Sequence, residues 1–237
     1  MVEKDLNIDQ IARNSLLSRD VVLEHMGLGN IIIDPFKPEN LGTVSYDVTL
    51  GPWYYRQQDL GPCRTIFNPW SREDVRDIWG RAQRASRTVE YFMNINMPVP
   101  TGMNPESEII VVGPGETILC HTKEFIGGRN IVTTMMKARS SLGRSFIEIC
   151  KCAGWGDVGF INRWTMEITN NSFRLAIPLP VGARVAQIAF FQVDPFKGED
   201  YSQAGKYQNG IDLEEIKKSW LPERMLPQLW KDKEVNL

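Results

Sequence analysis

The sequence predicts a mainly β fold, an antiparallel barrel or sandwich with a few short helices at its edge. Three observations carry this. Between residues 107 and 195, short β-rich runs recur about every 10–14 residues. Turn-forming stretches, "GPG", "IGG", "GWGDVG", "NNS" and "PVG", separate them. No long helical pattern alternates with these runs, which argues against a parallel βαβ sheet.

The elements follow in order. Ser18 caps a helix over 18–27, with Val21, Val22 and His25 or Met26 at helical spacing and Gly27 and Gly29 closing it. "NIIIDPF" is a short strand ended by Pro35. "TVSYDVTLG" alternates Val44, Tyr46, Val48 and Leu50 with Ser45, Asp47 and Thr49, a strand with one polar face. "NPWSREDVRDIWGRAQ" is a second helix, its Ser71 and Asp74 forming a weaker relative of the capping box. Residues 60–105, rich in Pro and Arg, read as an insertion on the β core. The later strands are "SEIIVV", "ETILCHT", "NIVTTMMKA", "FIEICKC", "RWTMEIT", "RLAIPLP" and "RVAQIAFFQV". "DLEEIKKSW" is a short helix before Pro222, and residues 200–237 form a lid or tail. Nothing divides the chain, so 1–237 is expected to be one domain with elaborations.

Composition narrows the function classes. An apolar content of 42% supports a core without metal or disulfide staples. A net charge of −2 argues against a surface that coats nucleic acid. No run approaches the length of a membrane span, and "MVEKDLNIDQ" lacks a signal-peptide core, so a cytoplasmic protein with no membrane partner is expected. The cysteines, Cys63, Cys120, Cys150 and Cys152, fit that compartment. On a strand, Cys150 and Cys152 would point to opposite faces and not bridge. With only His25 and His121, no C-x-x-C and no H-x-E…P-C-x-x-C pattern, zinc chemistry is not expected.

Three stretches carry chemistry. "KARSSLGRS" places Arg139, Ser140, Ser141 and Arg144 together; a helix opening at Ser140 makes an anion site, or merely a capped helix with solvated arginines. "AGWGDVGFINRWTMEITN" holds Asp157 in a glycine-flanked turn and Glu167 on a strand face shared with Thr165 and Thr169. That face is a pocket wall or a solvated surface, and periodicity alone leaves both open. "YSQAGKYQNG" is a segment that could close over a ligand through Lys206, or an ordinary loop.

Together these stretches resemble the dCTP deaminase branch of the trimeric dUTPase superfamily. The likeness runs in order through "LLSRDVV", "IIIDPFKPENLGTVSYDVTLG", "HTKEFIG", "ARSSLGR", "AGWGDVGF", "TMEITNN", "PVGARVAQIAFF" and "GKYQ". The resemblance implies a distorted dUTPase-like barrel or jelly roll and a homotrimer with active sites between subunits. It implies zinc-independent hydrolysis of dCTP to dUTP and ammonia. Glu167 would be the general base, Ala153 would hold the catalytic water through its carbonyl, and Ser140 and Arg144 would complete the catalytic group. Arg139 and Ser141 would meet substrate phosphates, Asp157 the 3′-hydroxyl and Phe160 the sugar. Tyr201, Lys206 and Gln208 would cover the triphosphate. Mg²⁺ would ride on the nucleotide, with no metal site in the protein.

Alternatives are a bifunctional enzyme yielding dUMP and pyrophosphate, and a non-catalytic nucleotide-binding regulator. The Gly-rich motif that usually ends pure dUTPases is absent from the sequence. Some positions depart from the family's usual pattern: Gly156 for a bulky Ile, Val158 for Pro, Asn162 for a turn Gly. Gly156 raises the expectation of a wider base pocket that tolerates C5-substituted cytosine. The insertion is expected to serve subunit packing.

Overall fold

A computed structural model describes residues 16–62, 64–195, 197–208 and 210–232. The N-terminal decapeptide, Cys63 and the last five residues, all read above, lie outside them. The fold is mainly β, as expected, and every pairing between its strands is antiparallel.

The chain enters through α1 (Arg19–Gly27), which packs on β1 (Ile31–Asp34). Strand β2 (Tyr46–Arg56) follows. The insertion supplies α2 (Arg72–Trp79), β3 (Gln83–Arg84), β4 (Ser86–Arg87) and α3 (Thr88–Asn94). Next come β5 (Glu108–Val112), β6 (Thr117–Gly128), β7 (Val132–Ala138), the one-turn α4 (Ser140–Arg144) and β8 (Ile147–Ile149). Then follow β9 (Trp155–Gly156), β10 (Ile161–Asn170), β11 (Ile177–Pro180) and β12 (Arg184–Gln192). The tail adds α5 (Tyr201–Ala204), α6 (Leu213–Ser219) and two 3₁₀ turns.

The main sheet runs β8-β10-β6-β2-β12-β7-β9, with β1 also on β6 and β3 on β2. A small sheet runs β11-β5-β4. The main sheet curls round one core, where Val48, Leu50, Ile118, Ile126, Met166, Ile168, Ile188 and Phe190 are fully buried. Each such aliphatic side chain contributes about 1.5–3 kcal/mol by leaving water. Most predicted strands recur with shifted ends. Ser71 caps as read, its Oγ accepting from the Asp74 amide at 3.2 Å, whereas Ser18 stands at the N-cap position of α1 without a side-chain cap bond. Helix α3 and strands β3 and β4 in the insertion were not foreseen. No helix among the described residues is long and apolar enough to cross a membrane.

Three local features differ from the sequence reading or add to it. The polar face of β2 is not solvated: Asp47 and Thr49 are buried, Thr49 by its bonds to Glu124. Strand β8 stops at Ile149, and Cys150, Lys151 and Cys152 all take positive φ, 66°, 36° and 98°. Cys150 and Cys152 therefore do not alternate on a strand. Both are free thiols, Cys150 buried at 3.0 Å from Met136 Sδ and Cys152 exposed. The insertion packs on this chain's own tail. Tyr55, Val75 and Leu119 form a second small core with Met225 and Leu226, flanked by Trp53, Trp79, Trp220 and Trp230.

Gly156 does not open space. A Cβ there would stand 2.4 Å from the Trp164 ring and 2.4 Å from Thr134 Oγ1. The volume an isoleucine would take is filled by the indole, so the expected widening at this position is not found. Gly156→Ala is therefore expected to destabilise the protein by about 1–3 kcal/mol through overpacking. Combined with Trp164→Leu it should cost less than the sum of the two single changes, as urea-denaturation midpoints would show.

Candidate active site

Strand β10 makes the wall of the site. Its core face carries Trp164, Met166 and Ile168, all buried; Arg163, Thr165 and Glu167 on the other face are half-buried. They line a cavity of about 470 Å³ together with Ala153, Trp155, Asp157, Phe160 and Tyr201. Trp79 of the insertion and Tyr207, Arg224, Met225 and Pro227 of the tail close it. A cavity of this size suits a small organic ligand.

The two carboxylates occupy different surroundings. Glu167 pairs across β6 with the buried Leu119. Burial holds its carboxyl above the ordinary carboxylate range, against its own amide and the Lys151 ammonium, which pull the other way. A half-buried carboxyl poised to exchange a proton is the usual form of a general base. Asp157 sits at the turn before β10 and also lines an adjoining cavity of about 440 Å³ with Lys206. Phe160 meets Tyr201 edge to face, ring centroids 5.1 Å apart.

Ala153 reaches the cavity through strain. Three successive non-glycine residues at positive φ precede it, and its amide donates to the Cys150 carbonyl at 2.6 Å. Each such residue costs on the order of 1 kcal/mol.

Arg163 was missed in the sequence. Its guanidinium lies 4.8 Å from the Phe125 ring centroid and 4.6 Å from that of Trp220. Its Nε is buried without a partner, and it forms no ion pair among the described residues. Only its place on the Glu167 face of an alternating strand could have flagged it. The Trp220 ring also packs on His121 at 4.7 Å. His121 is fully buried, its Nδ1 bonding the Thr122 carbonyl at 2.8 Å and its Nε2 accepting from the Trp53 amide at 3.3 Å. Burial pushes its pKa down to about 4. It is a neutral structural residue.

The chain's homology is now decidable. Residues 16–193 match the family model described as dCTP deaminase-like. The chain belongs to that family. A relative from Hydrogenobaculum sp. (strain Y04AAS1), "dCTP deaminase, dUMP-forming", is 28% identical over 179 residues, 76% of this chain and 83% of the relative. One of the same name from Nanoarchaeum equitans is 24% identical over 210 residues, 87% of this chain and all of the relative. The solved 2′-deoxycytidine 5′-triphosphate deaminase from Agrobacterium tumefaciens shares the fold, with a TM-score of 0.51 at 16% identity over 76% of this chain. This chain spans about half (49%) the length of that one.

Of the residues that the dCTP deaminase resemblance singled out, Glu167, Ala153, Asp157, Phe160 and Tyr201 gather round one cavity. Arg139, Ser140, Ser141 and Arg144 do not line it. Ser140, Ser141 and Arg144 lie exposed on α4, and Arg139 reaches Asp47 at 3.5 Å, which also meets Arg184 at 3.1 Å. Lys206 pairs with Asp232. Gln208 is buried: its Oε1 accepts from the Ile161 amide at 2.7 Å, and its Nε2 donates to the Gly159 carbonyl at 2.9 Å. This amide clips the tail to the turn before β10, so the segment read as a loose cover is anchored here.

The raised carboxyl of Glu167 gives a signed prediction. Its ionised form is disfavoured by folding, so its ionisation costs stability as pH rises above the unfolded value of about 4.3. Glu167→Gln is expected to raise the melting temperature at neutral pH. The gain should shrink as pH falls below the ordinary carboxylate range, which calorimetry at several pH values would show.

Proposed function

We propose that the protein deaminates deoxycytidine triphosphate, with Glu167 as the general base. The observation that carries this reading is the desolvated Glu167 carboxyl in a cavity that also holds Ala153, Asp157, Phe160 and Tyr201. In the proposed reaction Glu167 takes a proton from a water held beside the Ala153 carbonyl. The water oxygen bonds to C4 of the cytosine, and the electron pair of the C4–N3 double bond moves to N3, which is protonated. Glu167 gives that first proton to N3, takes the second from the C4 hydroxyl and delivers it to the exocyclic amine; the C4–N bond breaks as the C4 carbonyl forms, and ammonia leaves a uracil ring. Asp157 meets the sugar 3′-hydroxyl and Phe160 the sugar, while Tyr201, packed edge to face on Phe160, belongs to the segment that covers the triphosphate. In this reading Arg163, on β10 between the Asp157 turn and Glu167 and lining the same cavity, donates to the pyrimidine C2 carbonyl. That oxygen gains negative charge as C4 is attacked, and a preorganised donor there lowers the barrier.

The phosphates need cations that the cavity of one chain does not supply from α4. A homotrimer, in which a neighbouring copy presents Arg139, Ser140, Ser141 and Arg144, completes the site. The exposed Phe146, Phe173 and Leu175 support such contacts. The Asn171 amide donates to the Phe146 carbonyl at 2.8 Å, so these apolar side chains share a neighbourhood with α4. Mg²⁺ would bind on the triphosphate and neutralise its charge.

For the products, the name shared by the curated relatives favours the bifunctional outcome, dUMP with pyrophosphate, over dUTP alone. Incubation with dCTP and Mg²⁺ decides. Ammonia with dUMP and pyrophosphate is the expected result; ammonia with dUTP retains the deaminase and removes the second step. Release of dCMP, or tight dCTP binding without ammonia, would overturn the reading, the latter in favour of a regulator. Glu167→Gln should lower kcat by about 10²–10⁴-fold while dCTP still binds.

Phe173, 98% exposed, tests the assembly. Phe173→Arg is expected to shift the particle mass in light scattering toward the monomer and to abolish turnover, with the melting of the chain preserved.

A further inference from the structure

A third cavity, of about 420 Å³, lies between the insertion and the tail. Four cations line it: Arg72 and Arg76 from α2, and Arg224 and Lys231 from the tail. Its acidic member is Glu223. None of the four cations forms an ion pair among the described residues, where Arg64, by contrast, holds both Asp74 and Asp77 of α2. Arg72 and Arg76 are one turn apart, a spacing at which like charges destabilise a helix.

A buried group adds to this. Gln228 is only 6% exposed, faces this cavity, and its Oε1 has no hydrogen-bond partner. A buried amide oxygen left unmet is costly and calls for a partner. As it stands, it accepts from a ligand N–H or O–H. Turned end for end, the amide offers its N–H groups to a phosphate oxygen. The half-buried indole of Trp230 supplies a flat face in the same cleft. Converging guanidiniums, an ammonium and an unmet amide are the chemistry of a phosphate site.

We propose that this cleft binds a polyphosphate anion, free as pyrophosphate or carried by a nucleotide. The site stands apart from Glu167 and does not depend on the catalytic reading. Arg224 lines both this cavity and the Glu167 cavity, so occupancy here changes the charge that the Glu167 cavity feels.

The test uses the full chain and its Arg72→Glu/Arg76→Glu variant, both positions being exposed. Pyrophosphate and ATP are titrated by calorimetry and by tryptophan fluorescence, with Trp230→Phe assigning the signal. The expected result is binding that weakens by about tenfold or more in the double variant and falls with added salt. Tighter binding of ATP than of pyrophosphate marks a nucleotide as the occupant; equal binding marks the phosphates alone. Binding unchanged by the charge reversal, or no binding of either probe at millimolar concentration, would overturn the proposal. If the double variant fails to fold, Arg76→Gln carries the same comparison.

Discussion

The indole of Trp164 holds the site's scaffold in place. Its Nε1 donates to the Ile126 carbonyl at 2.9 Å, and its amide donates to Thr122 Oγ1 at 2.9 Å. Its ring covers Gly156 and meets Phe160 edge to face at 5.3 Å. One side chain thus ties β10 to β6, to β9 and to the turn that carries Asp157. It also fixes the phase of β10. A slip of one residue would expose Trp164, Met166 and Ile168 and bury Arg163, Thr165 and Glu167, so the core itself specifies which side chains face the cavity.

What lies over that face comes from far along the chain. Leu119 abuts Glu167 from β6, and Trp79, Met225 and Pro227 reach the cavity from the insertion and the tail. Trp220 anchors this roof on His121 and Arg163. The roof is what removes water from the Glu167 side. The proton affinity of the carboxyl is therefore a product of the small core round Tyr55, Val75 and Leu119 as much as of the strand that bears it. His121 forms the floor for Trp220, and burial favours its neutral form. Its position across β2 requires Gly51, since a Cβ there would stand 2.0 Å from the imidazole.

The parts legible in the sequence are those governed by local rules. The alternation from Arg163 to Thr169 told which residues share a face, and Ser71 declared its cap three residues ahead. The ordered resemblance brought Ala153, Asp157, Phe160, Glu167 and Tyr201 into one reading, and the fold places them round one cavity. What stayed hidden depends on contacts distant in sequence. Arg163 is held by residues 38 positions before it and 57 after it, Phe125 and Trp220. Gly156 looked like missing volume because the indole that fills it comes from another strand. "FIEICKC" read as one strand because Ile and Cys suit strands; the left-handed turn at Cys150–Cys152 follows from where Ala153 must go. Gln208 reads only as part of a segment over the triphosphate; its bonds to the Ile161 amide and the Gly159 carbonyl depend on backbone nearly fifty residues away, which no local pattern announces.

The costs in this fold are concentrated. Three successive left-handed residues lead into Ala153, a guanidinium sits in Arg163 with a buried and unpartnered Nε, and a carboxyl at Glu167 is partly stripped of water. The strained residues each disfavour folding by about 1 kcal/mol, burial disfavours the ionised carboxyl, and the guanidinium, though stacked on Phe125 and Trp220, leaves one N–H without a partner. Arg163 and Glu167 line the same cavity, as does Ala153, into which the strained residues lead, while the core beneath is ordinary aliphatic packing. A sequence shaped only for stability would relieve each one: glycine at Lys151, an apolar residue at Arg163, glutamine at Glu167. Their convergence is the physical argument that this cavity serves a ligand. Strain, an unpaired donor and a reluctant carboxylate are properties that change when a polar ligand supplying acceptors fills the space.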